Sequence, residues 1–240
     1  MTKARGRALI GLVIVLLTAA AFALRPQKHS PSFSTPREKP PLLILTSLPL
    51  LFGESFGLKD IGSPTISALS ASFKVLPIST TSADELAKSR LLLMAQPSAQ
   101  TAENLVVLDQ WVRRGGRLML LADPMLEWPS KRPLGDPLRP APMFMDTGLL
   151  AHWGLRLDAP DARGRAVRSL GGYAVLTASP GSLVGRCVVS NDRLMAKCRI
   201  GKGRAVIVAD ADLLNVDALG GGAKNNLDGL TRELVSLNEK

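Results

Sequence analysis

Between residues 90 and 126 the chain reads RLLLMAQPSAQTAENLVVLDQWVRRGGRLMLLADPML, and its apolar positions change period twice. Residues 91–95 are continuously apolar, which suits a strand buried on both faces. Leu105, Leu108, Trp111 and Val112 then recur at spacings of three and four, the stripe of a helix lying on a sheet. Thr101 is placed to cap that helix, Glu103 falls in its first turn, and Arg113 and Arg114 fall in its last, all in the sense the helix dipole favours. Gly115-Gly116 ends it, with one glycine in the left-handed conformation, and residues 117–122 give a second buried strand. Strand, helix, strand is a crossover between parallel neighbours, so the pattern predicts an α/β sheet.

The same rhythm runs on either side. Residues 42–47 form a short apolar strand bounded by prolines, Ser63 caps a helix over 64–73, and residues 74–78 give another strand. Residues 124–142 hold six prolines (Pro124, Pro129, Pro133, Pro137, Pro140 and Pro142), with Met125, Trp128, Met143, Phe144 and Met145 close by. So long an irregular stretch reads as a flap over the strand ends. A short helix is predicted within 146–153, with Asp146 or Thr147 as its cap, and a β-rich half begins at residue 155. Residues 187–200 read as a hairpin. A turn at Asn191-Asp192 sets Cys187 opposite Ala196, and a turn at Asp192-Arg193 sets Cys187 opposite Cys198. Both registers leave the same residues on one face, so the pattern does not choose between them. Residues 204–209 give a further strand ending in Asp210-Ala211-Asp212. A glycine-rich stretch over 219–223 follows, then a last helix capped by Asn225 with Leu227, Leu230, Leu234 and Leu237 as its core stripe.

Charge divides the chain. Residues 1–41 carry seven Lys or Arg and one acid, net +6, and the other 199 residues carry 23 basic and 19 acidic groups, net +4. The high pI therefore belongs to the tail. The remainder mixes its charges and is poor in aromatics, so no nucleic-acid partner is expected. Residues 8–24 are uncharged and apolar, with Lys3, Arg5 and Arg7 before them and Arg25 after. As a helix of about 25 Å they reach the lower limit for a hydrocarbon core, and the basic start favours a cytoplasmic N-terminus. Ala21-Phe22-Ala23 also fits signal-peptide cleavage, although the apolar run exceeds the usual length for one. The organisation expected is a membrane anchor over 1–25, a Pro/Ser-rich linker over 26–41 and an α/β domain over 42–240. Export to an oxidising compartment favours a Cys187–Cys198 disulfide.

Candidate chemistry is sparse. His152 lies beside Trp153 on a short helix and reads as a packing or surface residue; His29 falls in the linker. No C-x-x-C or H-E-x-x-H spacing offers a metal site, and no G-x-S-x-G elbow presents a serine. Gly201-Lys202-Gly203 leads into a strand, unlike a phosphate-binding loop. Asp123, Asp210 and Asp212 each follow an apolar strand and converge if those strands are parallel neighbours. With Gln96 at another strand exit, Trp128 in the flap and Asn225 at the last helix, they make up a candidate ligand- or partner-binding set. Turn and helix capping is the simpler role for each aspartate. No catalytic residue, metal or cofactor is indicated.

The runs RRGGRLMLLADPML and CRIGKGRAVIVADADLL, the latter followed by the glycine-rich loop and the Asn-initiated helix, resemble the soluble domain of GldG-like auxiliary proteins of ABC transport systems. The likeness extends over roughly residues 42–237. It implies a domain similar to class I glutamine amidotransferases: a flavodoxin-like three-layer sandwich with a mostly parallel sheet, here with an added β-hairpin and a single N-terminal transmembrane helix before it. Amidotransferases place a nucleophilic Cys at a strand-to-helix elbow, with His and Glu further on. Here the strand exits carry Gln96 and Asp123 and both cysteines lie in the hairpin, so that activity is not carried over. The resemblance implies a non-catalytic periplasmic domain held in the inner membrane by one pass, auxiliary or ligand-sensing, with ABC permease and ATPase subunits as partners and room for a small ligand. The residues also leave open an envelope hydrolase or glycan-processing enzyme using the strand-end carboxylates, and a plain envelope scaffold.

Overall fold

Among the described residues five short strands run parallel. The computed structural model describes residues 38–51, 62–136 and 138–239. The expected membrane anchor at 8–24 lies outside them, and among the described residues no helix is long and apolar enough to cross a membrane.

The main sheet has seven strands. Its parallel part comprises β1 (Pro41–Thr46), β2 (Lys74–Pro77), β3 (Leu91–Ala95), β4 (Arg117–Leu121) and β11 (Gly203–Val208), in the spatial order β2-β1-β3-β4-β11. Counting only these strands the order is 2-1-3-4-5, compatible with a flavodoxin-like arrangement. β10 (Met195–Ile200) and β9 (Val188–Val189) extend the β11 edge antiparallel. The burial patterns explain the difference in composition. β3 and nearly all of β4 are buried at every position, because helices cover both faces, whereas β10 alternates buried and exposed.

One face carries α1 (Pro64–Ser72) and α6 (Asn226–Glu239), packing Leu69, Leu230 and Leu234 on Ile44, Leu93 and Met119. The other carries α2 (Ala83–Leu86), α3 (Ala102–Arg113) and α4 (Leu149–His152), with Leu108 and Val112 on Leu92, Leu118 and Leu120. Each fully buried leucine contributes roughly 1.5–3 kcal/mol of apolar burial. The predicted caps are present: the Ser63 Oγ accepts from the Ile66 N–H and the Thr101 Oγ1 from the Asn104 N–H, both at 3.3 Å. Gly115 is left-handed at φ 113°. At Gly203 a side chain is excluded, since a Cβ would fall on the Val112 and Gly116 carbonyl oxygens where α3 ends against β11.

Between β4 and β11 comes a long insertion. It holds the proline flap, α4, a β5–β8 pair (Leu155–Asp158 with Ser182–Gly185), a β6–β7 hairpin (Arg165–Leu170 with Tyr173–Ala178), and β9 and β10. The flap is pinned at its base, with the Leu126 N–H donating to Pro142 O at 2.9 Å and the Phe144 N–H to Asp123 O at 2.6 Å. Trp128 packs onto the core of the first face, while Leu134 and Leu138 turn to solvent.

Three expectations need correction. Residues 219–223 are not a slack glycine loop: Val216–Leu219 is a short helix, α5, and Gly220–Ala223 a 3-10 turn. α6 begins at Asn226, and Asn225 contributes a backbone carbonyl to the Gly229 N–H rather than a side-chain cap. The short helix of 146–153 covers only Leu149–His152, because Gly148 is left-handed; the Asp146 Oδ1 nonetheless accepts from the Gly148 and Leu150 N–H groups.

Of the two hairpin registers, the structure has the one in which Val189 faces Ala196 and Val188 faces Lys197. Cys187 then lies opposite Cys198, and the two are joined by a disulfide. The bond spans 11 residues, for which loop closure contributes about 2–3 kcal/mol. Reduction should therefore lower the melting temperature of the full chain by about 5–10 °C and expose two alkylatable thiols. Alkylation without reductant, or an unchanged melting curve, would contradict the bond.

Candidate functional site

A carboxylate at the end of a buried strand must collect hydrogen bonds or be driven to its neutral form. Asp123, following β4, is fully buried. Its Oδ1 accepts from the Met125 N–H at 2.8 Å, and its Oδ2 accepts from the N–H groups of Ala211 at 2.8 Å and Asp212 at 3.3 Å. Asp210, following β11 and also fully buried, accepts from the Leu213 N–H at 2.7 Å and the Ala178 N–H at 3.1 Å. Asp212 accepts from the Glu127 N–H at 2.6 Å. Because β4 and β11 are parallel neighbours, the three carboxylates do converge on one edge of the sheet. All three are occupied by backbone donors.

Gln96, directly after β3, has φ 42° and no exposure. Its Oε1 accepts from the Asp123 N–H at 3.0 Å, and its Nε2 donates to Asp123 O at 3.3 Å and Ala141 O at 3.1 Å. The amide thus ties the β3 exit, the β4 exit and the returning limb of the flap together. Trp128 packs onto the core and Asn225 gives only its backbone carbonyl to the Gly229 N–H, so neither joins the cluster through a bond of its own side chain among the described residues.

Four residues not singled out in the sequence complete the site. Asn226 is buried; its Nδ2 donates to Leu176 O at 2.7 Å and Leu213 O at 2.8 Å, and its Oδ1 accepts from the Leu176 N–H. Ser179, with φ 48°, accepts from the Gly164 N–H on its hydroxyl oxygen and donates that hydroxyl to the Glu127 carboxylate. Glu127, Asp212 and Arg165 border a cavity of about 110 Å³. The adjacent Ser179-Pro180-Gly181 turn was the available signal for Ser179; the others carry none.

Burial raises Asp123 to about 6, opposed by its backbone donors. Burial likewise raises Asp212 to about 7, opposed by the Glu127 N–H and helped by the Asp123 charge. Asp210 is pushed well above the ordinary range by burial and then by Asp123. His152 stands apart, exposed beside the Arg113 guanidinium and Asp109. Among the described residues no group of three or more His, Cys, Asp or Glu is placed to hold a metal ion. The arrangement can fix backbone geometry and present a small polar cavity.

A family model described as "ABC-type uncharacterized transport system" matches residues 39–162, just over half of the chain, from β1 through the flap to the end of β5. The chain belongs to this family. Membership associates it with an ABC transport system. No curated protein matches the sequence. Among solved structures, a cytoplasmic protein of Salmonella typhimurium LT2 aligns at TM-score 0.52 and 11% identity, covering 82% of this chain and 99% of that one. An exo-beta-1,4-mannosidase from Opitutaceae bacterium strain TAV5 aligns at TM-score 0.50 and 10% identity, covering 83% of this chain. The chain spans only 36% of the mannosidase's length. At such identities the likeness shows the mixed α/β fold alone.

A carboxyl whose folded value lies above its unfolded value near 3.9 holds its proton more tightly when folded. The resulting stability is complete below about pH 4 and is lost as pH rises through 6 to 7, the values of Asp123 and Asp212. The melting temperature should therefore fall by several degrees between pH 5 and pH 8. Asp212→Asn keeps an acceptor for the Glu127 N–H and removes the buried charge, so it should raise the melting temperature at pH 8 and leave it nearly unchanged at pH 5. A flat pH profile in the parent chain would remove the basis of this account.

Proposed function

We propose that the chain is a non-catalytic, membrane-tethered periplasmic auxiliary component of an ABC transport system, with a ligand-sensing α/β domain of the GldG-like, amidotransferase-like kind. The observation that carries the reading is the state of the strand exits. Each aspartate there is held by backbone N–H groups, and Gln96, at the exit after β3, has its amide held by the backbone of Asp123 and Ala141. Such an edge suits a fixed binding face more than proton exchange. Acid/base work on a glycosidic bond needs two carboxyls facing a pocket that holds the substrate. The cavity beside Asp212 and Glu127, about 110 Å³, lies well below the roughly 300–1,000 Å³ of drug-sized ligand pockets.

Family membership supports the transport association. The apolar segment at 8–24 with its basic leading side supports the tether, and the Cys187–Cys198 bond supports an oxidising compartment. Gentle crosslinking of native membranes followed by purification of the full chain should recover an ABC permease and its ATPase with it. Recovery of the chain as a lone monomer under the same conditions would overturn the reading.

A further inference from the structure

Beyond the carboxylate cluster the insertion builds a second cavity, of about 170 Å³, between the start of β6, the Pro180-Gly181-Ser182 turn and the β9–β10 turn. Four arginines line it: Arg163, Arg165, Arg168 and Arg193. Two aspartates share the lining, Asp161 and Asp192. The Asp192 carboxylate is already occupied by the Ser190 hydroxyl at 2.6 Å and by the Ser169 and Leu194 N–H groups at 2.7 and 3.3 Å. Asp158 lies nearby and is taken by Arg156 at 2.7 Å, leaving Arg193 a contact of 3.5 Å. Arg165 donates to Ala218 O at 3.1 Å. Among the described residues Arg163 has no hydrogen-bond or ion-pair partner.

Two polar groups of residues that line the cavity have no partner among the described residues. The Arg168 Nε is a buried side-chain donor without a partner, and among the described residues no other buried side-chain nitrogen or oxygen lacks one. Ser182, 9% exposed, lines the cavity and its hydroxyl has no partner among the described residues. A donor left unmade in a protein interior costs free energy that a bound acceptor would recover. Guanidinium forks in excess of carboxylates, together with a hydroxyl donor, match the planar and tetrahedral faces of oxyanions. The volume admits such a group and falls short of the roughly 300 Å³ of drug-sized pockets.

We propose that this cavity binds a small oxyanion, free or as the charged group of a larger ligand that projects into solvent, with Arg163, Arg168 and Ser182 as its donors. The site rests on the ligand-sensing reading above for its use, and names the class of ligand sensed. Calorimetric titration of the full chain in mild detergent tests it, with inorganic phosphate, sulfate and citrate as separate arms whose ranking identifies the oxyanion. Arg163→Gln and Arg168→Gln should each weaken the best of the three by about tenfold or more, the scale of a lost charge-assisted hydrogen bond. Arg199→Gln, in the separate cavity between β10, β11 and α6, should change it less than about twofold. Arg163 is exposed and makes no structural bond, so its variant folds even if the half-buried Arg168 variant does not. Binding unaffected by Arg163→Gln, an equal loss in Arg199→Gln, or no binding of any of the three anions would overturn the proposal. Anion binding without permease recovery would leave this site standing and remove the transport reading.

Discussion

The Asp123 carboxylate lies beyond the reach of water where β4 leaves the sheet, and the local architecture follows from satisfying it. Its donors come from its own exit turn and from the exit of β11, so the two turns must lie side by side. That placement brings Asp210 and Asp212 within range of the same charge, and each then needs donors of its own. Asp210 takes them from β7 and the turn after β11, and Asp212 takes one from the flap. A chain of buried acids, each met by the backbone of a different segment, stitches the insertion to the parallel sheet. It also concentrates negative charge, which the fold tolerates by holding those protons more tightly than water would.

The parallel framework was legible because its signals are local. An all-apolar run, a stripe at spacings of three and four and a glycine stop lie within residues 91–121 and need no distant partner to be read. The hairpin was half legible: both registers put Cys187 and Cys198 on one face, and the choice rests on ladder bonds and on a left-handed Arg193 in the turn. The candidate site was legible as a place but not as a structure. Asp123, Asp210 and Asp212 stand out because each ends an apolar strand. Glu127, Arg165, Ser179 and Asn226 do not stand out, since they meet only through segments tens of residues apart and their role lies in bonds to backbone. Asn225 and Asn226 are adjacent and chemically identical, so only the helix phase decides which is buried.

The insertion between β4 and β11 separates what this chain shares with other folds from what is its own. The parallel strands, their order and the helices on both faces make a scaffold found in proteins of unrelated activity. The flap, the Pro180-Gly181 turn and the turn before β10 adjoin the carboxyl ends of β4 and β11, where open α/β sheets carry their binding sites. Both small polar cavities lie there, one beside Asp212 and one among the arginines of the β6 and β9–β10 turns. The proposed ligand site of this chain therefore lies in the inserted segments.

The same insertion has a consequence for how the chain folds as it is made. Arg117 of β4 pairs with Arg204 of β11, 87 residues later, and until the late strand appears β4 presents an open, apolar edge. Contacts so distant in sequence are slow to form, so that edge stays uncovered until β11 arrives. Closure of the hairpin by Cys187 and Cys198 comes just ahead of β11 and holds β10 ready as its antiparallel neighbour. The covalent bond fixes β9 to β10 on the side of the sheet where its last parallel strand pairs.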